Sequence, residues 1–464
     1  MDLAVRRRVV LGVGSDAYNQ VVTVVVQLAG VPLLLHAWGH QVYGEWLILF
    51  AVPSYLSMSD LGFTQSGANR MTALAAARDH AAALRIFRAL GVLVIVALVG
   101  GLMLTAALVR LMPLGDWFSL RVLGGDAARL VVTLLAAEVF VRLLDGWLHA
   151  GFRASGDYAL HKGMSSSVRL VQHVALWGVA LTGGGPVGAA LAFLAVRASS
   201  IPLIGLLLFR RHPWLRGTRG RVQMRQLRPL LRPAIANTAM PAAQALQIQG
   251  STLVVGAALG PAAVVVFSTL RTLTRLVVQL VTVLNNAAEP EMAAAYGKGD
   301  EGLLRSLFVS TLHFALWAGL IAAAGLAVLG QPVVHIWTHG RVAFDAALFG
   351  WLLASAVASL LWAPGLAVLR AANRHVRAAA MFVLAAAVSL GASAWLGQLT
   401  HSVAAIGAAL LTTDAAMLLT TLPAASALSN VKLSSLLKEV SRPRLAGLAR
   451  TSLLGRQPGR EPGS

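Results

Sequence analysis

The chain has 464 residues, 57% of them hydrophobic and only 12% charged, with a mean hydropathy of +0.72, which excludes an ordinary soluble domain and places it in a bilayer. One span takes roughly 20 apolar residues, so the length leaves room for about a dozen. The formal net charge of +20 raises the question of nucleic acid, and the absence of cysteine removes disulfides and thiolate metal sites.

The first apolar run follows Arg6, Arg7 and Arg8 and continues from about Val9 to Leu35. That is too long for the core of a cleaved signal peptide and reads as a retained first helix. Apolar periodicity then predicts helices over 43 to 65, 87 to 112, 128 to 150, 164 to 183 and 187 to 209. After a basic stretch it predicts a second set over 233 to 259, 262 to 286, 307 to 329, 345 to 369, 378 to 399 and 403 to 425. The expected fold is an all-α polytopic membrane protein of about 12 transmembrane helices. An N-terminal six-helix bundle covers 1 to 209, a basic cytoplasmic linker 210 to 232, a C-terminal six-helix bundle 233 to 425 and a basic cytoplasmic tail 426 to 464. Within the tail, Leu433 to Leu448 reads either as a short amphipathic surface helix or as disordered chain.

Placement of the basic residues gives the orientation. Alternate loops, beginning with the N-terminal segment, hold nearly all the Lys and Arg, whereas the intervening loops hold Arg110, Arg121 and Arg341. By the positive-inside rule both termini are expected on the cytoplasmic side. The same dispersal makes anionic membrane lipid, and not nucleic acid, the partner of the charge. An even number of helices per half sets the halves parallel. Weak internal similarity agrees: Met71, Asp79 and Arg85 follow helix two as Met292, Asp300 and Arg305 follow helix eight.

Several loop motifs recur in an order and spacing that single matches do not explain. They are Tyr43-Gly44, Ser59-Asp60-Leu61-Gly62-Phe63, Leu259-Gly260-Pro261, Glu289-Pro290-Glu291, Tyr296-Gly297-Lys298-Gly299-Asp300, Ile336-Trp337, and Leu369-Arg370 through Arg374-His375. Over roughly residues 5 to 425 the chain resembles the polysaccharide transporter branch of the multidrug/oligosaccharidyl-lipid/polysaccharide (MOP) flippase superfamily, which includes the O-antigen flippases. That resemblance implies two bundles around a central cleft, in the manner of the MATE transporters, lined by helices one, two, seven and eight. It departs from the lipid II flippases in lacking their two extra C-terminal helices.

Ionisable groups within spans are costly and mark functional candidates, with intrabundle pairing as the alternative. On helix four, Glu138, Arg142 and Asp145 are spaced so that both carboxylates meet the guanidinium, which reads as a self-neutralising triad or as a gating and coupling element. Arg271 and Arg275 stack one turn apart on helix eight, with no acidic residue from 262 to 288. Their spacing suits a diphosphate, and Arg197 on helix six is a third candidate. Acids on other helices, such as Glu138 or Asp414, are the competing partners. Asp414 is also a coupling candidate.

Asn19, Gln27, Asn237, Gln244, Gln247 and Gln249 offer amides either to sugar hydroxyls or to neighbouring helices. His36 and His40 have metal-like spacing but no third ligand beyond Glu45, so no metal site is assigned. No phosphate loop, dinucleotide fingerprint or nucleophile elbow occurs, so no cofactor is assigned and the chain is not read as an enzyme. The expectation is a flippase for a polyprenyl-diphosphate-linked oligosaccharide, feeding O-antigen (lipopolysaccharide), capsule or exopolysaccharide assembly. It would be driven by the membrane potential or by H+ or Na+ exchange, and would act beside polysaccharide polymerase machinery. The rivals are a multidrug or cation exporter of the same superfamily and a membrane-embedded polymerase or glycosyltransferase.

Overall fold

A computed structural model describes residues 3–58, 62–217 and 231–441. Ser59, Asp60 and Leu61, the linker from 218 to 230, the tail beyond 441 and the side chain of Asn237 lie outside the described residues.

Among the described residues every regular element is helical. The N-terminal half comprises α1 (Leu3–Ser54), α2 (Phe63–Ala76), α3 (His80–Leu111), the short α4 (Leu114–Trp117), α5 (Gly125–Ala154), α6 (Tyr158–Leu181) and α7 (Pro186–Arg211). The C-terminal half comprises α8 (Leu231–Ala245), α9 (Ser251–Leu259), α10 (Pro261–Lys298), α11 (Glu301–Thr338), α12 (Ala346–Ala371), α13 (Val376–Thr400), α14 (Val403–Leu428) and the amphipathic α15 (Leu433–Ser441).

Eight of these helices are long and apolar enough to cross a membrane by length and composition alone. Gly39, at φ 68° and ψ −177°, breaks α1 into two limbs. The more polar α5 and α6 are not among the eight, and α8 and α9 are joined through a π-helical turn, Leu246–Gly250. The expectation of twelve spans would count the two limbs of α1, α5, α6 and the α8–α9 pair beside the other seven. One expectation needs correction: helix two does not run unbroken to 65. It passes through a 3-10 turn, Tyr55–Met58, and the chain resumes as α2 after Gly62, whose φ is 73°.

Packing explains several motifs. Gly44 approaches Pro261 so closely that a Cβ there would lie 2.1 Å from the Pro261 carbonyl oxygen, so the Tyr43-Gly44 and Gly260-Pro261 motifs form two sides of one seam. Glu289 and Arg370, from two further motifs, pair at 2.6 Å. The internal repeat appears in the capping: Asp79 accepts from the Ala82 N–H and Asp300 from the Leu303 N–H, each at 2.9 Å. Met71 and Met292 are both fully buried.

Within the N-terminal half α1 packs on α6, α3 on α5, and α5 and α6 on α7. Within the C-terminal half α12 and α13 pack on α14, and α10 on α12, while α1 meets α10 between the halves. At the end opposite the N terminus one apolar cluster spans both halves, including Leu35, Trp46 and Ile48 with Val264, Phe267 and Val334. At the other end each half keeps its own cluster, around Phe87 and Phe152 in one and Phe308 and Leu436 in the other. The halves therefore share one apolar cluster at one end, whereas at the other each keeps its own and the contact between halves runs through α2 and the Tyr55–Met58 turn against α8.

Candidate functional site

Each half encloses a polar cavity. In the C-terminal half it measures about 350 Å³ and is lined by Gln244, Gln247, Arg271, Arg275, Ser355 and Asp414, among others, with Gln20 reaching in from α1. The π turn shapes one wall. An extra residue in a helical turn displaces the backbone ladder, and here the Ile248 carbonyl accepts from Arg271 Nη1 at 2.7 Å. The same Nη1 donates to Ser251 Oγ at 2.7 Å and Nη2 to Thr252 Oγ1 at 2.9 Å. Arg271 also lies over the Phe267 ring, 4.8 Å from its centroid. Neutral groups and a ring face thus hold this guanidinium without neutralising it.

Arg275, one turn further along α10, lines the same cavity and has no hydrogen bond or ion pair among the described residues. Across from it, Asp414 is 2% exposed, accepts from Ser355 Oγ, and accepts from Trp362 Nε1 at 3.0 Å. No cationic side chain among the described residues lies within 4.0 Å of Asp414. A buried carboxylate and two half-buried guanidiniums share one cavity without closing on each other. The expected alternative, that Asp414 or Glu138 neutralises Arg271 and Arg275, is not what the geometry shows.

In the N-terminal half the cavity measures about 330 Å³ and is lined by Asn19, Arg142, Asp145, His161, Arg169 and Arg197, among others. Here both acids meet a cation. Arg197, 3% exposed, lies 3.4 Å from Glu138 Oε1 through Nε and 3.6 Å from Asp145 Oδ2 through Nη1. It donates to Gln172 Oε1 at 2.8 Å, and Gln172 donates on to Glu138 at 3.1 Å. Asp145 also accepts from Ser165 at 2.9 Å and meets His161 Nε2 at 3.2 Å, whose Nδ1 lies 3.0 Å from His149 Nδ1. Arg169 donates to the Asn19 carbonyl, to Asn19 Oδ1 and to Thr23.

These positions revise several sequence expectations. The helix-four triad does not close on itself: Arg142 is exposed at the cavity rim with no ion pair, and its two carboxylates turn to Arg197 on α7. The reason is depth, since Arg197 lies in the interior of the half where both acids point. For the same reason Arg197 does not join Arg271 and Arg275, and lines the other cavity. Of the amide candidates, Gln244 and Gln247 line the C-terminal cavity, whereas Asn19 is engaged by Arg169 and Ser166. Gln27 accepts from Gln279 Nε2 at 2.9 Å, and Gln279 Oε1 accepts from Gln20 at 3.1 Å, a ladder between the halves. Glu45, fully buried, caps a turn through the N–H groups of Arg121, Val122 and Leu123.

Sequence reasoning missed His161, because α6 begins at Tyr158 and not near 164, and Gln172, a neutral side chain within the expected helix whose partners Glu138 and Arg197 come from α5 and α7. It also missed Ser251 and Thr252, a hydroxyl pair inside an apolar run that is the available signal for a buried partner.

No protein-family model and no curated protein matches the chain. Solved structures do. An inward-facing multidrug resistance MATE family transporter of the MOP superfamily is similar at 15% identity with a TM-score of 0.68, over 89% of this chain and 96% of that one. The lipid II flippase MurJ in an inward closed conformation is similar at 10% identity and 0.68, over 93% and 90%. An outward-facing MATE transporter is similar at 15% identity and 0.59, over 93% and 96%. At these identities the likeness establishes the fold: two helical bundles around a cleft, as in the MOP transporters.

Proposed function

We propose that this protein is a flippase that carries a polyprenyl-diphosphate-linked oligosaccharide across the bacterial inner membrane by alternating access, for assembly of a surface polysaccharide. The observation that carries the reading is Arg275, a half-buried guanidinium lining the C-terminal cavity beside Arg271 with no counter-charge of its own among the described residues. A buried cation without a partner is costly, and a diphosphate provides several oxygens for the charge-assisted bonds that would offset that cost. Gln244 and Gln247, which line the same cavity, would meet sugar hydroxyls. The polyprenyl tail would remain in lipid while the headgroup crosses the cleft.

A negative interior favours outward movement of an anionic headgroup by about 2.3 kcal/mol per charge per 100 mV. Glu138, Asp145 and Asp414 are the groups that would carry a coupling H+ or Na+. The cytoplasmic termini, the inner-membrane location and the work beside a polymerase belong to this reading, on the charge bias of the loops.

The test is the level of cytoplasm-facing lipid-linked oligosaccharide in cells depleted of the protein, measured with their surface polysaccharide. The intermediate should accumulate while the polymer is lost. A second reading, export of a cationic compound, rests on Asp414, a carboxylate in the same cavity with no cation beside it. Unchanged intermediates together with new sensitivity to cationic drugs would favour it.

A further inference from the structure

Two backbone carbonyls on the first limb of α1 point away from their own helix, for reasons written in the sequence. Pro32 has no N–H, so the carbonyl of Leu28, four residues earlier, receives no helical donor. Gly39 leaves the helical path at φ 68°, and Leu35 belongs to the last turn before it, where carbonyls run out of intrahelical donors. In a bilayer such groups need a partner from protein or from water.

Both are met from the other half. Trp337 Nε1 donates to the Leu28 carbonyl at 2.7 Å. Arg341 Nη1 donates to the Leu35 carbonyl at 3.0 Å, while its Nη2 lies 3.1 Å from His36 Nδ1. Arg341 is delivered by a left-handed turn beyond α11, with His339 at φ 54° and Gly340 at φ 69°. Beside it runs the Gly44–Pro261 seam, over the one apolar cluster that joins the halves.

We infer that Trp337 and Arg341 form a latch that holds the cleft shut at the end opposite the N terminus, and that the strength of this latch sets how often the cleft opens there. The inference rests on the alternating-access reading, though not on the identity of the substrate. When the halves part at this end, water from the opened vestibule replaces both donors, so opening exchanges hydrogen bonds instead of abandoning them. That leaves the two states close enough in free energy for a ligand to choose between them. A net contribution typical of one hydrogen bond makes each donor worth about a three- to tenfold shift in the open-to-shut ratio.

The chain has no cysteine, so a single reporter can be introduced without removing others. Val31, 6% exposed and between Leu28 and Leu35, is suitable. Full-length Val31→Cys protein in native membranes would be labelled with a membrane-impermeant maleimide, applied separately to each face. Added Trp337→Phe or Arg341→Gln should each raise the labelling rate about three- to tenfold from the face opposite the N terminus only, with a larger rise in the double variant. Arg341→Lys, which can still donate to the Leu35 carbonyl, should stay near the parent rate. No rise in the double variant overturns the latch, and so does an equal rise from both faces, which would indicate general loosening. The lipid-intermediate assay fails or succeeds separately, so an error in the substrate would not be mistaken for an error in the gate.

Discussion

The two cavities are built from the same kinds of side chain and differ in one respect. In the N-terminal half Arg197 is enclosed by Glu138, Asp145 and Gln172, and every charge at that depth has an opposite or a hydrogen-bond partner. In the C-terminal half Arg271 is held by a carbonyl, two hydroxyls and a ring, Arg275 by no hydrogen bond or ion pair among the described residues, and Asp414 by two neutral donors. The first arrangement brings both of its carboxylates onto one guanidinium and stabilises a bundle. The second holds charge in reserve, which a protein retains at a cost in stability only where a ligand or ion completes the site. Function is thus assigned to the cavity that is less well satisfied.

That contrast can be broken by exchanging which charge is removed. The largest effect is expected from the double substitution Arg271→Gln and Arg275→Gln: flipping activity, read as turnover of the lipid-linked intermediate in cells, should be abolished while membrane abundance is retained. Activity at the parent level would reverse the assignment of the two cavities. Next is Arg197→Gln, which leaves Glu138 and Asp145 buried without their cation and should lower stability by about 3–5 kcal/mol, the usual cost of removing one partner of a buried pair. Thermal unfolding in detergent would measure it. Adding Glu138→Gln should recover most of that loss, because an uncharged pair leaves less charge uncompensated. Smaller still is Gln172→Leu, which removes the link between Arg197 and Glu138 and should cost about 1–3 kcal/mol in the same assay.

Most of the helical layout was legible in the sequence because bilayer spans announce themselves by length and hydropathy, and the loop motifs mark where helices turn. The side-chain partners were not. Arg142 and Arg197 are equally plausible cations for Glu138 on paper, and only the packing of α7 against α5 decides between them. Arg271 and Arg275 were legible as a pair because no acid lies near them in sequence. The hydroxyls that hold Arg271 were not, since they come from α9 beyond a π turn that periodicity does not reveal. Trp337 was legible only as part of the Ile336-Trp337 motif, and its hydrogen bond to α1 depends on Pro32, more than 300 residues away.

The smallest predicted effect is the most pointed test of the N-terminal site. Arg142 carries a full charge one turn from Glu138 and shares a cavity with Asp145, so a reading by sequence spacing alone gives it a central structural role. The structure leaves it exposed, outside the ion-paired group and facing no carboxylate within 4.0 Å. Removing an exposed, unpaired charge usually moves stability by less than about 0.5 kcal/mol. Arg142→Gln should therefore unfold with the parent protein, whereas Arg197→Gln should not. A loss for Arg142→Gln approaching that of Arg197→Gln would mean that the two arginines share the carboxylates. The N-terminal acids would then be divided between two guanidiniums, and the pairing with Arg197 that sets this cavity apart from the C-terminal one would have to be redrawn.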